Sequence, residues 1–292
     1  MKSEIKKIDG TKREVSVEIT GDTVKNKFED VLSKISKEAK VPGFRPGNAP
    51  RDIIERNFSS LAHEQVLKEL VPEVYNQVIE KEKLDVVELP EIFDVKLDRS
   101  SLSFKAKVEV VPEIALKNYK GLKVRYNRLE VSEDEIKRSL DSIKESRKID
   151  TLDDKVSKGF GYPTMADFKG AIERQMLIQK ENQQRAKIEQ DIIGQLTKDL
   201  DFKVPQVMVN RQLQDLLRQY KLDLALKGMP KEKLEKEEPN LIKELEPQAA
   251  SQVKVYLILA EIARKENIPV DEHVSGHVIE FLLKEANWSE AA

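Results

Sequence analysis

The sequence predicts an α+β N-terminal domain built as strand, helices and β-hairpin, followed by an elongated all-α domain of several helices with arms. Three observations carry this. Apolar residues alternate with period two in three short stretches before residue 112, with helical spacing between them. From Thr164 onward the spacing is helical throughout. The chain has 292 residues, 36% of them charged and only 5% aromatic, which is thin for one large compact core.

The elements follow in order. Residues 12–20 place Val15, Val17 and Ile19 on one face of a half-buried strand. Gly21 breaks it, and Asp22 or Thr23 is suited to cap a helix running to about residue 40. In that helix Val24, Phe28, Val31, Leu32 and Ile35 form one apolar stripe. Ile53, Ile54 and Phe58 mark a short helix after the next loop. A longer helix spans about 60–83, with Pro72 predicting a kink near Val71. Residues 91–97 and 101–111 alternate cleanly across Asp98-Arg99-Ser100, the pattern of a hairpin.

Pro112 closes this domain, and 113–150 reads as a linking strand and helix. An extended stretch at 122–129 precedes Ser132, which with Glu135 forms a capping-box pattern for a helix to about 147. Residues 148–162 are polar and glycine-bearing, hence a linker.

The remaining domain, 151–292, reads as helical from Thr164 onward. Thr164 and Asp167 start a helix of roughly 36 residues by the capping rules. Its stretch 179–185 is polar all round, the mark of a helix that bridges or projects. Pro205 opens the next helix, and Gly228-Met229-Pro230 turns the chain into the charged stretch 231–238. A long helix over 240–267, kinked at Pro247, carries the most apolar run, 253–263. Asp271 is placed to cap a last helix through Leu283, and the tail frays after Trp288. Arms of this kind enclose a cleft suited to poorly specified apolar partners, with Met176, Leu213, Leu217, Tyr220 and Met229 as candidate lining.

The stretch 41–51, Val-Pro-Gly-Phe-Arg-Pro-Gly-Asn-Ala-Pro-Arg, holds three of the twelve prolines and two of the eleven glycines. Few backbone conformations are left to such a loop. At its centre sit one ring and one guanidinium, Phe44 and Arg45. Residues 34–58 carry six basic side chains (Lys34, Lys37, Lys40, Arg45, Arg51, Arg56) against Glu38, Asp52 and Glu55, in a chain of net charge −2. A basic tip with a stackable ring suits an RNA backbone or an acidic protein patch. A plain turn between helices is the competing reading.

Several chemistries drop out. With no cysteine, disulfides, thiolate metal sites and thiol catalysis are excluded, which fits a reducing compartment. His273 and His277 stand at i and i+4, but Val274 replaces the glutamate of a zincin and no third ligand is evident. His63 is isolated. No nucleophile–base set is present, no cofactor is called for, and the glycine loop lacks the Lys-Ser/Thr of a phosphate loop. The N-terminus has no signal-peptide run and no segment is long enough to span a bilayer, so the expectation is a cytoplasmic protein without a membrane partner.

Gly43-Phe44-Arg45-x-Gly47-x-x-Pro50, set between these helices, resembles the signature loop of trigger factor, the bacterial ribosome-associated chaperone family. The stretches 167–176, 202–205 and 247–265 are similar to its C-terminal chaperone domain. The resemblance implies that Gly43, Phe44, Arg45, Pro46, Gly47, Pro50 and Arg51 dock on the large ribosomal subunit, on protein and rRNA near the exit tunnel. It also implies that the helical arms cradle unfolded or nascent polypeptides, assisting folding and export, and it leaves open a homodimer. Two departures stand out. The family has a basic residue two positions before Pro50, where this chain has Asn48. An FKBP-type prolyl isomerase domain usually follows the linker, whereas here residues 146–150 run straight into Thr151-Leu152-Asp153-Asp154. The expectation is therefore an ATP-independent chaperone and not an enzyme. The alternatives are a free cytosolic holdase without ribosome docking and an isomerase with a misread domain.

Overall fold

The computed structural model describes residues 1–292 apart from Gly43, Arg45, Pro46, Gly47, Asp150, Asp199, Ala291 and Ala292. The chain divides into two compact units. One comprises Met1–Ile114 with Phe202–Lys254, the other Ala115–Asp201 with Val255–Ala292.

The first unit is built on a four-stranded antiparallel sheet. Its strands are β1 (Lys2–Lys7), β2 (Lys12–Thr20), β3 (Glu91–Asp98) and β4 (Ser101–Glu109), in the order β1-β2-β4-β3. Val15 pairs with Ala106 and Val17 with Phe104, so the inward residues of the two central strands stand side by side. Helices α1 (Asp22–Glu38) and α2 (Arg51–Glu82) cover this face and bury Val24, Val31, Ile54, Val66 and Leu70 against it. The predicted strand, helices and hairpin are present. The edge strand β1 was not anticipated, because Ile5 is its one aliphatic residue and gives no alternation.

Three local expectations are corrected. The α1 N-cap is Gly21, at φ 97° and without a side-chain cap, not Asp22 or Thr23. That φ is open to glycine and strained for other residues. In α2 the break lies at Phe58 (φ −122°, ψ 18°), as the separate short helix implied, whereas Pro72 is carried inside the helix. The stretch 231–238 is the first part of α7 (Lys231–Lys265), which runs through both Pro239 and Pro247.

Within the first unit, α6 (Gln206–Leu226) and the 231–254 part of α7 pack along Val209, Leu213, Leu217, Leu241, Leu245 and Ala249. Gln212 donates to Gln252 at 2.8 Å and Lys221 pairs with Glu238 at 2.7 Å, which fixes an antiparallel helical hairpin. Pro205 opens α6 as expected. Its second amide, Val207 N–H, donates to the distant Glu109 carboxylate at 3.1 Å.

The second unit holds β5 (Lys123–Tyr126), α3 (Glu133–Arg147), α4 (Asp154–Gly159), α5 (Met165–Lys198), the 255–265 part of α7, α8 (Val274–Lys284) and β6 (Asn287–Glu290). The capping box at Ser132 and Glu135 is complete. Thr164 Oγ1 accepts from Asp167 N–H at 3.2 Å, so α5 starts where its sequence says. The expected linker instead contains α4, capped by Asp153, and its following Phe160 and Tyr162 pack on Phe168. The polar middle of α5 is engaged by hydrogen bonds: Lys180 to Glu130 O and Glu135, and Asn127 N–H to Gln184 Oε1. Asp271 does not cap α8 but accepts from His273 N–H one residue before it. Asn287–Glu290 form β6, parallel to β5, with Val124 opposite Trp288, so the chain is still paired two residues past Trp288.

Candidate functional site: the loop at the head of α2

The loop is defined first by what pins its ends. Val41 is buried in the core of the first unit and Ala49 packs against the same core. Ala39 N–H donates to Ile35 O at 2.8 Å and closes α1. Pro50, at φ −58° and ψ 145°, opens α2 and its carbonyl accepts from Ile53 and Ile54. Proline suits this position because its missing N–H would have no helical partner. Between these anchors Phe44 N–H donates to Val41 O at 3.1 Å, and the Phe44 side chain is 40% exposed. A ring of that size left in water next to a well-packed core is available for contact. Gly43, Arg45, Pro46 and Gly47 lie outside the described residues.

Beside α2's first turns is a cavity of about 230 Å³ with Phe28, Leu32 and Ala62 in its wall. His63 stands edge-on to Phe28 at 5.0 Å, with Nδ1 2.8 Å from Ser59 O. Arg51 and Arg99 share the rim with Glu29 and Glu55: Arg51 reaches Glu29 at 3.2 Å and Glu55 at 3.1 Å, and Arg99 reaches Glu55 at 2.6 Å. The Arg99 and then the Arg51 hydrogen bonds hold the Glu55 carboxyl below its usual range. Arg51 is therefore already neutralised within its own chain, and Lys34 is paired with Glu69 at 3.3 Å. Lys37, Lys40 and Arg56 are exposed and add positive charge at this end. Sequence spacing could not find this cavity, because its walls come from two helices and a hairpin turn.

The candidate cradle residues separate into two groups. Leu213 and Leu217 are buried in the α6–α7 seam. Tyr220 is 43% exposed, Met229 is half-buried at the hairpin turn, and Met176 packs beside Leu140, Phe168 and Ile172 in the second unit. The apolar surface at the end of α6 is larger than anticipated, since Leu222 and Leu226 are 61% and 79% exposed. They are four residues apart and so lie on one side of the helix.

The His273 and His277 rings are 6.4 Å apart. Among the described residues no group of three or more His, Asp or Glu side chains could hold a metal. No helix among them is long and apolar enough to cross a membrane.

Comparison with known proteins fits this arrangement. A family model described as bacterial trigger factor protein matches residues 1–143, and one described as bacterial trigger factor protein C-terminus matches 164–290. The trigger factor of Natranaerobius thermophilus is 33% identical over 176 residues, covering 59% of this chain and 39% of that protein. That of Solibacter usitatus is 37% identical over 141 residues, covering 48% and 33%. These two alignments thus take in well under half of each relative's length. The trigger factor of Halothermothrix orenii aligns at 23% identity over 387 positions, covering 97% of this chain and 90% of that protein. That alignment is longer than the 292 residues present, so part of the relative faces no residue here. A solved structure reported for promiscuous substrate recognition in folding and assembly activities of the trigger factor chaperone covers 98% of this chain and 100% of its own. It superposes with a TM-score of 0.62 at 11% identity. With two models of one family together spanning nearly its whole length, this chain belongs to the trigger factor family.

Proposed function

We propose that the protein is an ATP-independent chaperone that docks on the large ribosomal subunit near the exit tunnel through the loop 41–51 and shields apolar segments of nascent polypeptides. In this reading 1–112 is the ribosome-binding domain, 113–150 the link, and 151–292 the part that holds clients and assists folding and export. The observation that carries it is Phe44, exposed in a loop whose two ends are tied into the core, within the matched N-terminal segment. A rigid mount limits the entropy lost when the ring and its neighbouring guanidinium dock. The exposed Tyr220, Leu222 and Leu226 support client holding, because apolar surface contacts many sequences without demanding one.

The two matched segments are separated only by residues 144–163, too few for a further domain, so the proposal includes no prolyl isomerase activity. Turnover of a proline-containing peptide above the uncatalysed rate would contradict that part.

Ribosome co-sedimentation tests the docking. Wild-type protein is expected to pellet with ribosomes, less so as salt rises, and Phe44→Ala with Arg45→Ala to remain in the supernatant. Equal pelleting of that double variant would remove the loop from the account. A second reading, a cytosolic holdase that works free of the ribosome, draws on Asn48 and on the Arg51 ion pairs, which leave fewer cations for RNA. Wild-type protein that never pellets but still prevents aggregation would select it.

A further inference from the structure

The pairing of β5 with β6 has an unusual balance of supports. Parallel strands occur mostly in sheets covered on both faces, and an isolated two-stranded sheet is marginal in water. Here every residue of β6 is exposed, and Trp288 retains 48% of its surface. Beyond its four-residue ladder with β5 and a 3.5 Å bond from Ser289 Oγ to Val124 O, three bonds among the described residues hold the strand. Asn287 N–H donates to Leu122 O at 2.9 Å, Asn287 Nδ2 to Gly121 O at 3.0 Å, and Trp288 Nε1 to Leu283 O at 2.9 Å. The Trp288 ring meets Tyr126 at 6.1 Å.

The opposite edge of β5 is closed in another way. The Gln195 side-chain amide on α5 accepts from Lys123 N–H at 3.2 Å and donates to Lys123 O at 2.9 Å. One glutamine thus reproduces both hydrogen bonds of a neighbouring strand, and further along Gln184 accepts from Asn127 N–H at 2.9 Å. β5 is therefore a strand with one edge capped by a helix and the other lightly covered by a short strand. Val124 anchors it, being 2% exposed.

We propose that the β6 edge of β5 is a strand-addition site for extended polypeptide, and that β6 is a resident strap over it. The inference rests on the chaperone reading, since it names a place where an unfolded client is held. Main-chain hydrogen bonds recognise any extended segment, whatever its sequence, and Tyr126 offers an aromatic side for one apolar residue of the incoming strand. The occupant is polypeptide main chain because β6 itself, a strand of ordinary sequence, already fits there. The client displaces β6 and replaces its ladder with main-chain bonds of its own, and little buried surface is lost because β6 is exposed along its whole length.

The absence of cysteine and the single tryptophan make the test direct. Arg125 and Ser289 are register partners, so Arg125→Cys with Ser289→Cys places one disulfide across the pair. The probe is a fluorescein-labelled, tryptophan-free ten-residue peptide of alternating valine and threonine with lysine ends. Wild-type protein is expected to bind it with a red shift of Trp288 emission. The oxidised double variant is expected to bind at least about tenfold more weakly, with affinity restored by reductant. Equal binding by oxidised and reduced forms would overturn the strap, while continued suppression of aggregation by both would leave the chaperone reading standing. No peptide binding with no suppression of aggregation would overturn both. A disulfide-linked dimer on a non-reducing gel would show that a second copy supplies the strand, which also overturns the proposal.

Discussion

Asp9 shows how one carboxylate organises a turn. Its Oδ1 accepts from Thr11 N–H at 2.9 Å and Lys12 N–H at 2.7 Å, and Lys203 lies 3.5 Å from Oδ2. The two backbone donors, with smaller help from Lys203, lower its pKa from 3.8 to about 2. Because the folded value lies below the unfolded one, this stabilisation is fully present above about pH 3.8 and is lost as pH falls through about 2. Chemical denaturation at a series of acidic pH values should show wild type losing more stability than Asp9→Asn over that window. Parallel slopes for the two proteins would mean that the turn does not need the charge. Glu135 falls to about 2 in the same direction, chiefly through Lys180 and then Ser132 N–H. Ser132→Ala removes the reciprocal cap and should cost about 1 kcal/mol. A melting temperature unchanged by that substitution would show that α3 does not depend on its box.

At the scale of elements, the α6–α7 hairpin separates stability from client holding. Leu217 is 3% exposed in the seam, so Leu217→Ala should cost about 2–4 kcal/mol. Leu226 is 79% exposed, so Leu226→Ser should change stability by no more than about 0.5 kcal/mol. The same substitution, combined with Leu222→Ser, should weaken suppression of aggregation at unchanged melting temperature. Full suppression by that double variant would move the client surface elsewhere. What could be read from sequence divides by range. The Ser132/Glu135 box, Pro205 and the stripe of α1 are signals within a few residues, and each marks its element. β6 is paired to residues more than 150 positions away through a strand with no alternation, so nothing local announces it. The first turns of α7 are charged all round and interrupted by Pro239, so periodicity starts the helix nine residues late. In the loop, composition identifies Phe44 as outward. It could not show that Arg51 is spent on Glu29 and Glu55, because that depends on how the helices meet.

At the scale of the whole molecule, the chain combines two matched trigger factor segments with a short join between them. Each unit carries one feature suited to polypeptide: the exposed end of α6 in the first, and the lightly strapped β5 edge in the second. Both features suit passive holding of unfolded chains. The most direct measurement is light scattering after diluting a chemically denatured protein into buffer without nucleotide, across rising ratios of chaperone to client. Passive holding predicts that scattering falls steadily to near baseline around equimolar ratio and is indifferent to added ATP. Scattering that stays at the level of an inert protein control at every ratio would contradict it.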